Sequence, residues 1–465
     1  MRGARRTFLC AVALGIAWLS PPALAQTNPE FVTIERSEGR SLARQAVLDG
    51  QFDLARDIAL ALLDADKHDP VAHIVLAAVW INRGENLAAR RSAASAYRAA
   101  ETPAARYEAA RLAALASSNA GQLLRAQIWL RRAATHAPNE NAFAQNATDF
   151  RQVARSNPLN LSVNLAFAPT NNVNGGSENA FNIIDGIPIW GILSPDAQAL
   201  SGFVASVDLR ASYRLSEDQN QRTSLSLRLY DREVWLSKEA QDAAPDSDNG
   251  DFAYAWWEVS ANQKRLAGDW ALDYGLSIGR SYSAGVADKD RVTLTASALR
   301  PLSERLAFTA YGELGWRRDV GSAQEPDAIR SLGAGARWIS NGERLAGAFS
   351  AQVVHQSTSS PFENNRSEIT RMQLSYQPQT QPDWAQLKIS LGASFAHYPD
   401  YTVLVPVPGG REDYTGFGTI ELELKNVSYA GFAPVLTLSH QQTDSNVSRF
   451  DTRQTDLRIG FRSQF

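Results

Sequence analysis

The residues in this chain with the widest chemical range are its six histidines, His68, His73, His136, His355, His397 and His440, which as residue types serve as metal ligands or general bases. Their spacing argues against both roles. None has a second histidine three or four positions away on a helical stretch, or two away on one strand face, so no local pair converges on a metal ion. Ser439 and His440 are neighbours in an alternating segment, which turns their side chains to opposite faces and separates a nucleophile from its base. The single cysteine, Cys10, lies in the leader, so the remainder has no thiol for catalysis, metal binding or disulfides. Gly333-Ala-Gly335 and Gly409-Gly410 sit in strand or loop patterns with no helix following, which is not a phosphate-binding arrangement. No catalytic residue, metal or cofactor is expected, and the chain does not read as an enzyme.

With catalysis set aside, the elements themselves carry the reading. Met1 to Ala25 has the parts of a secretory leader: basic Arg2, Arg5 and Arg6, an apolar run from Phe8 to Leu19, and Ala23-Leu24-Ala25 before Gln26, placing cleavage between Ala25 and Gln26. The apolar run spans about twelve residues where a membrane-spanning helix needs about 20, so no helical anchor is expected. The formal charge of −3 becomes −6 once three leader arginines are removed, which speaks against a nucleic-acid partner. Composition then breaks once. Residues 40 to 155 are rich in alanine and arginine, whereas from Pro158 onward Ser, Thr, Gly, Asn and aromatics dominate. The chain divides into a leader (1–25), a helical domain (26–155) and a β domain (156–465).

The helical domain repeats. Gly50-Gln-Phe-Asp-Leu-Ala55, Gly84-Glu-Asn-Leu-Ala-Ala89 and Gly121-Gln-Leu-Leu-Arg-Ala126 recur 34 and 37 residues apart, and Pro70, Pro103 and Pro138 follow the units. Glycine turning between two helices and proline starting the next pair, at a period near 34, is the tetratricopeptide pattern. The expected core is Leu42, Leu54, Leu62, Val75, Leu76, Leu112, Ile128 and Leu130, with Trp80 and Trp129 packed into it. Counting from the glycines places Arg40, Arg44, Asn82, Glu108, Arg111 and Asn119 near the concave surface, where such arrays hold extended segments of other proteins. Nine arginines against three glutamates between Arg83 and Arg132 would draw an acidic partner, although a solvated face explains any one of them equally well.

The β domain alternates with period two in stretches the length of tilted transmembrane strands. Leu161, Val163, Leu165 and Phe167 alternate with Asn160, Ser162 and Asn164; Trp270, Leu272, Tyr274, Leu276 and Ile278 follow the same rule. Fourteen strands are expected, near 159–169, 201–215, 223–236, 251–264, 269–283, 290–300, 305–318, 328–340, 343–356, 367–377, 385–397, 414–424, 432–442 and 452–465. Long connections should follow the odd strands and short ones the even strands, with Asn341-Gly342 as a two-residue hairpin turn. The last strand puts Leu457, Ile459 and Phe461 on one face and Asp456, Arg458 and Arg462 on the other, and Arg458, Gly460, Phe461 and Phe465 form the expected barrel-assembly signal. The fold expected is a short tetratricopeptide α-solenoid followed by a 14-stranded transmembrane antiparallel β-barrel in a bacterial outer membrane, with the helical domain in the periplasm.

Leader, short repeat array and 14-strand barrel, in that order, resemble the surface lipoprotein assembly modulators. The resemblance covers essentially the whole mature chain and includes the first strand running into an Asn-rich loop, Asn157-Pro-Leu-Asn-Leu-Ser-Val-Asn-Leu-Ala-Phe-Ala-Pro-Thr-Asn-Asn-Val-Asn-Gly-Gly-Ser177, and the Arg-Ile-Gly-Phe ending. It implies an outer-membrane translocon that recruits client proteins, surface lipoproteins or related secreted proteins, through its repeats and passes them through or along its barrel to the cell surface. Its partners would be the client, the barrel-assembly machinery and the outer-membrane bilayer, with no nucleic acid and the protein itself a monomer. Two other readings stay open: an exopolysaccharide export porin, against which 27 Lys and Arg to 35 Asp and Glu in residues 158–465 weighs, and a passive porin, which leaves the repeats without a role.

Overall fold

The computed structural model describes residues 34–463 apart from 185, 186, 343, 344, 404 and 428, so the leader, its cleavage point at Ala25 and Gln26, and Phe465 lie outside the described residues. The chain forms two compact units that divide at Asn157 and Pro158.

The first unit is helical: α1 (Arg36–Leu48), α2 (Phe52–Ala65), α3 (Pro70–Asn82), α4 (Asn86–Ala99), α5 (Pro103–Asn119), α6 (Leu123–Ala134) and α7 (Glu140–Ser156). Gly50, Gly84 and Gly121 join α1 to α2, α3 to α4 and α5 to α6, each with φ between +71° and +74°, a left-handed conformation that a residue with a Cβ resists. The glycine period therefore marks three helical hairpins, with α7 packed after them. Proline opens α3 and α5, while Pro138 stands ahead of α7. Asp69 caps α3 by accepting from the Val71 and Ala72 amides at 2.9 and 3.1 Å, which satisfies two of the helix's orphan donors.

Alanine fills this unit's core more than the sequence pattern suggests. Leu62, Val75, Leu76 and Leu130 are buried as expected, Trp129 is buried, and Leu112 and Trp80 pack against the core. Leu42, Leu54 and Ile128 are not in it, being 39–45 % exposed. Their neighbours Ala43 and Ala55 have no exposed surface and occupy the inward positions instead. Small side chains let the helices of each hairpin approach closely, which rotates the larger residues out to the flank.

The second unit closes fourteen antiparallel strands into a barrel: β1 (Leu159–Thr170), β4 (Gly202–Glu217), β5 (Gln221–Leu236), β6 (Tyr254–Ala267), β7 (Trp270–Ser283), β8 (Val286–Ser303), β9 (Leu306–Asp319), β10 (Asp327–Ser340), β11 (Gly347–Ser359), β12 (Ser367–Pro378), β13 (Ala385–Tyr398), β14 (Arg411–Leu424), β15 (Phe432–Ser445) and β16 (Thr452–Ser463). Each strand pairs with its sequence neighbour, and β1 returns to β16 through Ala166 with Gly460, Phe167 with Ile459 and Thr170 with Asp456. The long connection after β1 carries a separate hairpin, β2 (Phe181–Ile184) and β3 (Ile187–Ile192), that the strand pattern did not anticipate.

Two turns differ from expectation. The connection after β7 is not long: β7 and β8 meet through Ala284-Gly285, both with positive φ (50° and 75°), a two-residue hairpin turn whose twist matches the strands. Asn341-Gly342, conversely, does not make a two-residue hairpin, because Ser340 pairs with Gly347 across a wider connection. A tight turn there would oppose Trp338 to Leu345. The observed register instead stacks Trp338 on Phe349 (5.1 Å) and Phe349 on Tyr376 (4.6 Å), and this ladder across three strands outweighs the local turn preference.

Alternation sorts every strand into two faces. Leu225, Leu227 and Leu229 of β5, Tyr274, Leu276 and Ile278 of β7, and Leu457, Ile459 and Phe461 of β16 point outward and stay exposed. Inward lie Ser, Thr, Asn, Gln and charged residues, for example Ser226 and Arg228 on β5 and Ser260 on β6. Gly279 is fixed by this inner face: a Cβ there would stand 2.5 Å from the Trp256 ring and 2.6 Å from the Trp257 carbonyl.

Candidate functional site

In the helical unit, α1, the α2–α3 connection, α4 and the α4–α5 connection enclose an open cavity of about 880 Å³. Arg40 and Arg44 line it, together with Lys67, His68, His73 and Arg98, which the repeat pattern did not single out. Several of these cations are internally committed. Arg40 Nε donates to Asp69 Oδ2 at 2.8 Å, Arg44 donates to Glu108 at 2.9 Å, and Arg98 donates to the Ala94 carbonyl and Ser95 hydroxyl of its own helix. Lys67 has no carboxylate partner among the described residues and leaves a cation facing the cavity.

The remaining expected groove residues do not line the cavity. Glu108 is the partner of Arg44, whereas Arg111 is tied to Asp149 of α7 (2.5 Å) and to the Tyr107 hydroxyl (3.1 Å). Asn82 and Asn119 end α3 and α5 beside the glycine turns, and at about 1.5 Å per residue Asn82 lies about 18 Å along its helix from Pro70 at the cavity. Counting from the glycines places these six residues on α1, α3 and α5, and of the six only Arg40 and Arg44 line the cavity. Behind the cavity, His136 accepts from or donates to the Tyr97 hydroxyl at 3.1 Å, and burial, then the Arg106 charge, holds its imidazole below the ordinary histidine value.

In the barrel, the inner face carries paired and unpaired charge. Asp208 takes bidentate hydrogen bonds from Arg228 (3.0 and 2.9 Å) and Arg210 (3.3 and 2.9 Å). Arg291 pairs with Glu313 at 2.6 Å and Arg317 with Asp327 at 2.7 Å. Arg371 lies over the Phe417 ring at 4.1 Å, and Arg337, Arg371 and Arg458 have no carboxylate partner among the described residues. Each of the three is inward yet exposed, which is the mark of a water-filled lumen. At the opposite end from the short turns, Arg411 is buried between Tyr398 and Phe450 (3.6 Å each) and donates to Asp413 at 3.0 Å, tying the loop after β13 to the connection after β15.

Of the expected barrel-assembly residues, Arg458 and Gly460 face the lumen, Phe461 faces outward and Phe465 lies outside the described residues. The three strand histidines turn outward as well: His355 and His440 bond Thr370 and Thr455 on the neighbouring strands (3.0 and 2.8 Å), and His397 bonds the Gly409 carbonyl.

Comparison with known proteins leaves the family open. No family model and no curated protein matches the chain. Among solved structures it is similar to a bacterial polysaccharide outer membrane secretin (10 % identity, 64 % of this chain and 98 % of that one, TM-score 0.34), to an outer membrane channel from Pseudomonas putida F1 (13 %, 64 % and 94 %, 0.34) and to OccAB3 of Acinetobacter baumannii (9 %, 65 % and 98 %, 0.36). Likeness at this level decides nothing, and the class follows from the barrel's own walls. A closed barrel with an apolar outer face and a polar, hydrated inner face satisfies every strand's hydrogen bonds without water, which is how strands cross a bilayer. The protein is an outer-membrane β-barrel with a channel-type lumen. Its chain enters β1 from the helical domain at the end that bears most of the short turns, Ala284-Gly285 being the exception at the other end; that is the periplasmic end of such barrels, so the helical domain is periplasmic.

Proposed function

We propose that the protein is an outer-membrane translocon: its periplasmic repeats, read as tetratricopeptide hairpins, capture client proteins, and its barrel passes them to the cell surface. The observation that carries this reading is the 880 Å³ cavity in the helical array, lined by Arg40, Arg44, Lys67 and Arg98 and open enough to take an extended chain. A passive pore has no use for such a surface. Surface lipoproteins or related secreted proteins are the client class, folding of the client outside supplies the drive, and no catalytic step is required of the protein.

Deletion of the gene should leave one or a few specific proteins in the periplasm, and protease shaving should find them at the surface only when the gene is present. Lys67→Glu with Arg98→Glu in the full chain should weaken delivery in a salt-sensitive way while the barrel still inserts. Unchanged surface proteins in the deletion strain would refute the reading.

One observation favours a second reading, export of an anionic exopolysaccharide. The excess of acid over base in the β domain is not a property of the lumen: Asp242, Asp246, Asp248 and Asp251 sit in the connection between β5 and β6, whereas Arg337, Arg371 and Arg458 point inward. Loss of a surface polysaccharide with intact surface proteins would select it.

A further inference from the structure

The segment Asn171–Gly176, after β1, folds inward and roofs a chamber of about 660 Å³ against the inner face of β16, β1, β4 and β5. The roof is fixed by its own chemistry. Asn172 Nδ2 donates to the Gly176 carbonyl and its Oδ1 accepts from the Gly176 amide, both at 2.9 Å. Asn174 Nδ2 donates to the Asp196 and Gln198 carbonyls at 2.7 Å each. Val173 is seated among Leu200, Val234 and Leu236, and Arg232 donates to its carbonyl. The space beneath is therefore a built chamber.

Its charges do not balance. Arg228, Arg232 and Arg458 line it against Asp208 and Asp456. Asp208 serves two guanidinium groups, Arg228 and Arg210, and Glu258 stands opposite Arg228 on β6, so the surplus lies with Arg232 and Arg458 against Asp456. Arg458 has no carboxylate partner among the described residues; Asp456, two residues away on the inner face, accepts from the Gln454 amide at 3.1 and 3.0 Å. The chamber holds surplus positive charge and a guanidinium with unused donors, with the polar side chain of Asn164 on β1 beside them.

We infer that this chamber binds an acidic peptide segment, its carboxylates on Arg458 and Arg228 and its backbone amides against Asn164. The export reading supplies only the origin of that peptide. A peptide fits better than an acidic saccharide because the lining consists of short polar, small and charged side chains with one aromatic ring, Tyr230, which the Arg228 guanidinium approaches at 5.9 Å, and it offers no pair of rings to hold a sugar between them.

The test is fluorescence anisotropy of labelled hexaglutamate with the full chain purified in detergent, at about 50 mM salt to limit screening. Hexaglutamate should bind and hexalysine should not. Arg228→Gln with Arg458→Gln should weaken binding about tenfold or more, the loss of one or two charge-assisted hydrogen bonds. Asp208→Asn should tighten it, since both arginines are released, and a gain of affinity does not arise from misfolding. Absence of hexaglutamate binding, equal binding by the double variant, or tighter binding of hexagalacturonate would each overturn the inference. If Lys67→Glu with Arg98→Glu abolishes binding and the lumen variants do not, the peptide sits on the helical array. The chamber assignment then falls and the export reading survives.

Discussion

Leu276 and Ser277 are adjacent at the middle of the fourteen-residue β7, and the barrel gives them opposite surroundings. Leu276 points outward and is 46 % exposed, flanked by Ala261 and Leu294 on the neighbouring strands. Ser277 points inward between Ser260 and Thr293. An arginine at mid-bilayer on the lipid face costs roughly 2–4 kcal/mol, so Leu276→Arg should shift the folding equilibrium by roughly 30- to 700-fold. Ser277→Arg enters a lumen that already keeps Arg371 and Arg458 hydrated, beside two small side chains, and should cost about 0.5 kcal/mol. Depth supplies an internal check. Tyr282 is also outward, six residues nearer the end of the strand, and Tyr282→Arg should fall to about 0–1 kcal/mol as the cost declines toward the interface. The assay is reversible urea unfolding of the full chain in lipid vesicles followed by tryptophan fluorescence, comparing midpoints at equal slope. Equal losses at 276 and 277, or a larger loss at 277, would refute the assignment of faces to β7 and, through the shared register, to β6 and β8.

Two further outcomes follow from local structure. Ala284 holds a left-handed φ of 50° in the β7–β8 turn, so Ala284→Asn should raise stability by about 0.5–1 kcal/mol in the same unfolding assay, and a loss would contradict the turn geometry. His136 is held below the ordinary histidine value in the folded state, first by burial and then by Arg106. The unfolded chain therefore takes up the proton first, and stability should fall as pH drops below about 6.5. Circular dichroism melts of the helical signal at about pH 7.5 and about pH 5 should differ less in His136→Gln than in the unchanged chain; an identical difference in both would remove this residue from the effect.

Strands were legible because period two is enforced twice, by lipid on one face and water on the other. A slip of one residue would put Arg228 into the bilayer and Leu227 into the lumen, so the sequence tolerates only one register. Helical hairpins were legible through Gly50, Gly84 and Gly121 for a similar reason: each left-handed turn admits few other residues. Which helix face is buried was less legible. A core built from Ala43, Ala55 and Ala59 leaves no contrast in size or polarity to phase the helix, and the leucines that stand out in the pattern, Leu42 and Leu54, mark the flank. Turns were misread where a ladder overruled them. Asn341-Gly342 is a strong local signal, but the stack of Trp338, Phe349 and Tyr376 spans three strands and holds the observed register against it.

The site was the least legible part, because the sign of a barrel's total charge says little about its lumen. Asp242 and Asp251 lie in a connection, and Asp231 and Asp290 fall on outward positions of β5 and β8, so none of them belongs to the inner face of a strand. Arg228, Arg337, Arg371 and Arg458 all fall on inward positions, where the field of a narrow aqueous passage with low-dielectric walls is concentrated. Only after alternation is used to separate the two faces does the inner charge emerge, and its sign is opposite to that of the whole domain. Asp208 then becomes the informative residue. By holding both Arg210 and Arg228 it caps the positive charge the inner face presents beneath the Asn171–Gly176 segment, so the proposed affinity for an anion turns on this one carboxylate rather than on the number of arginines.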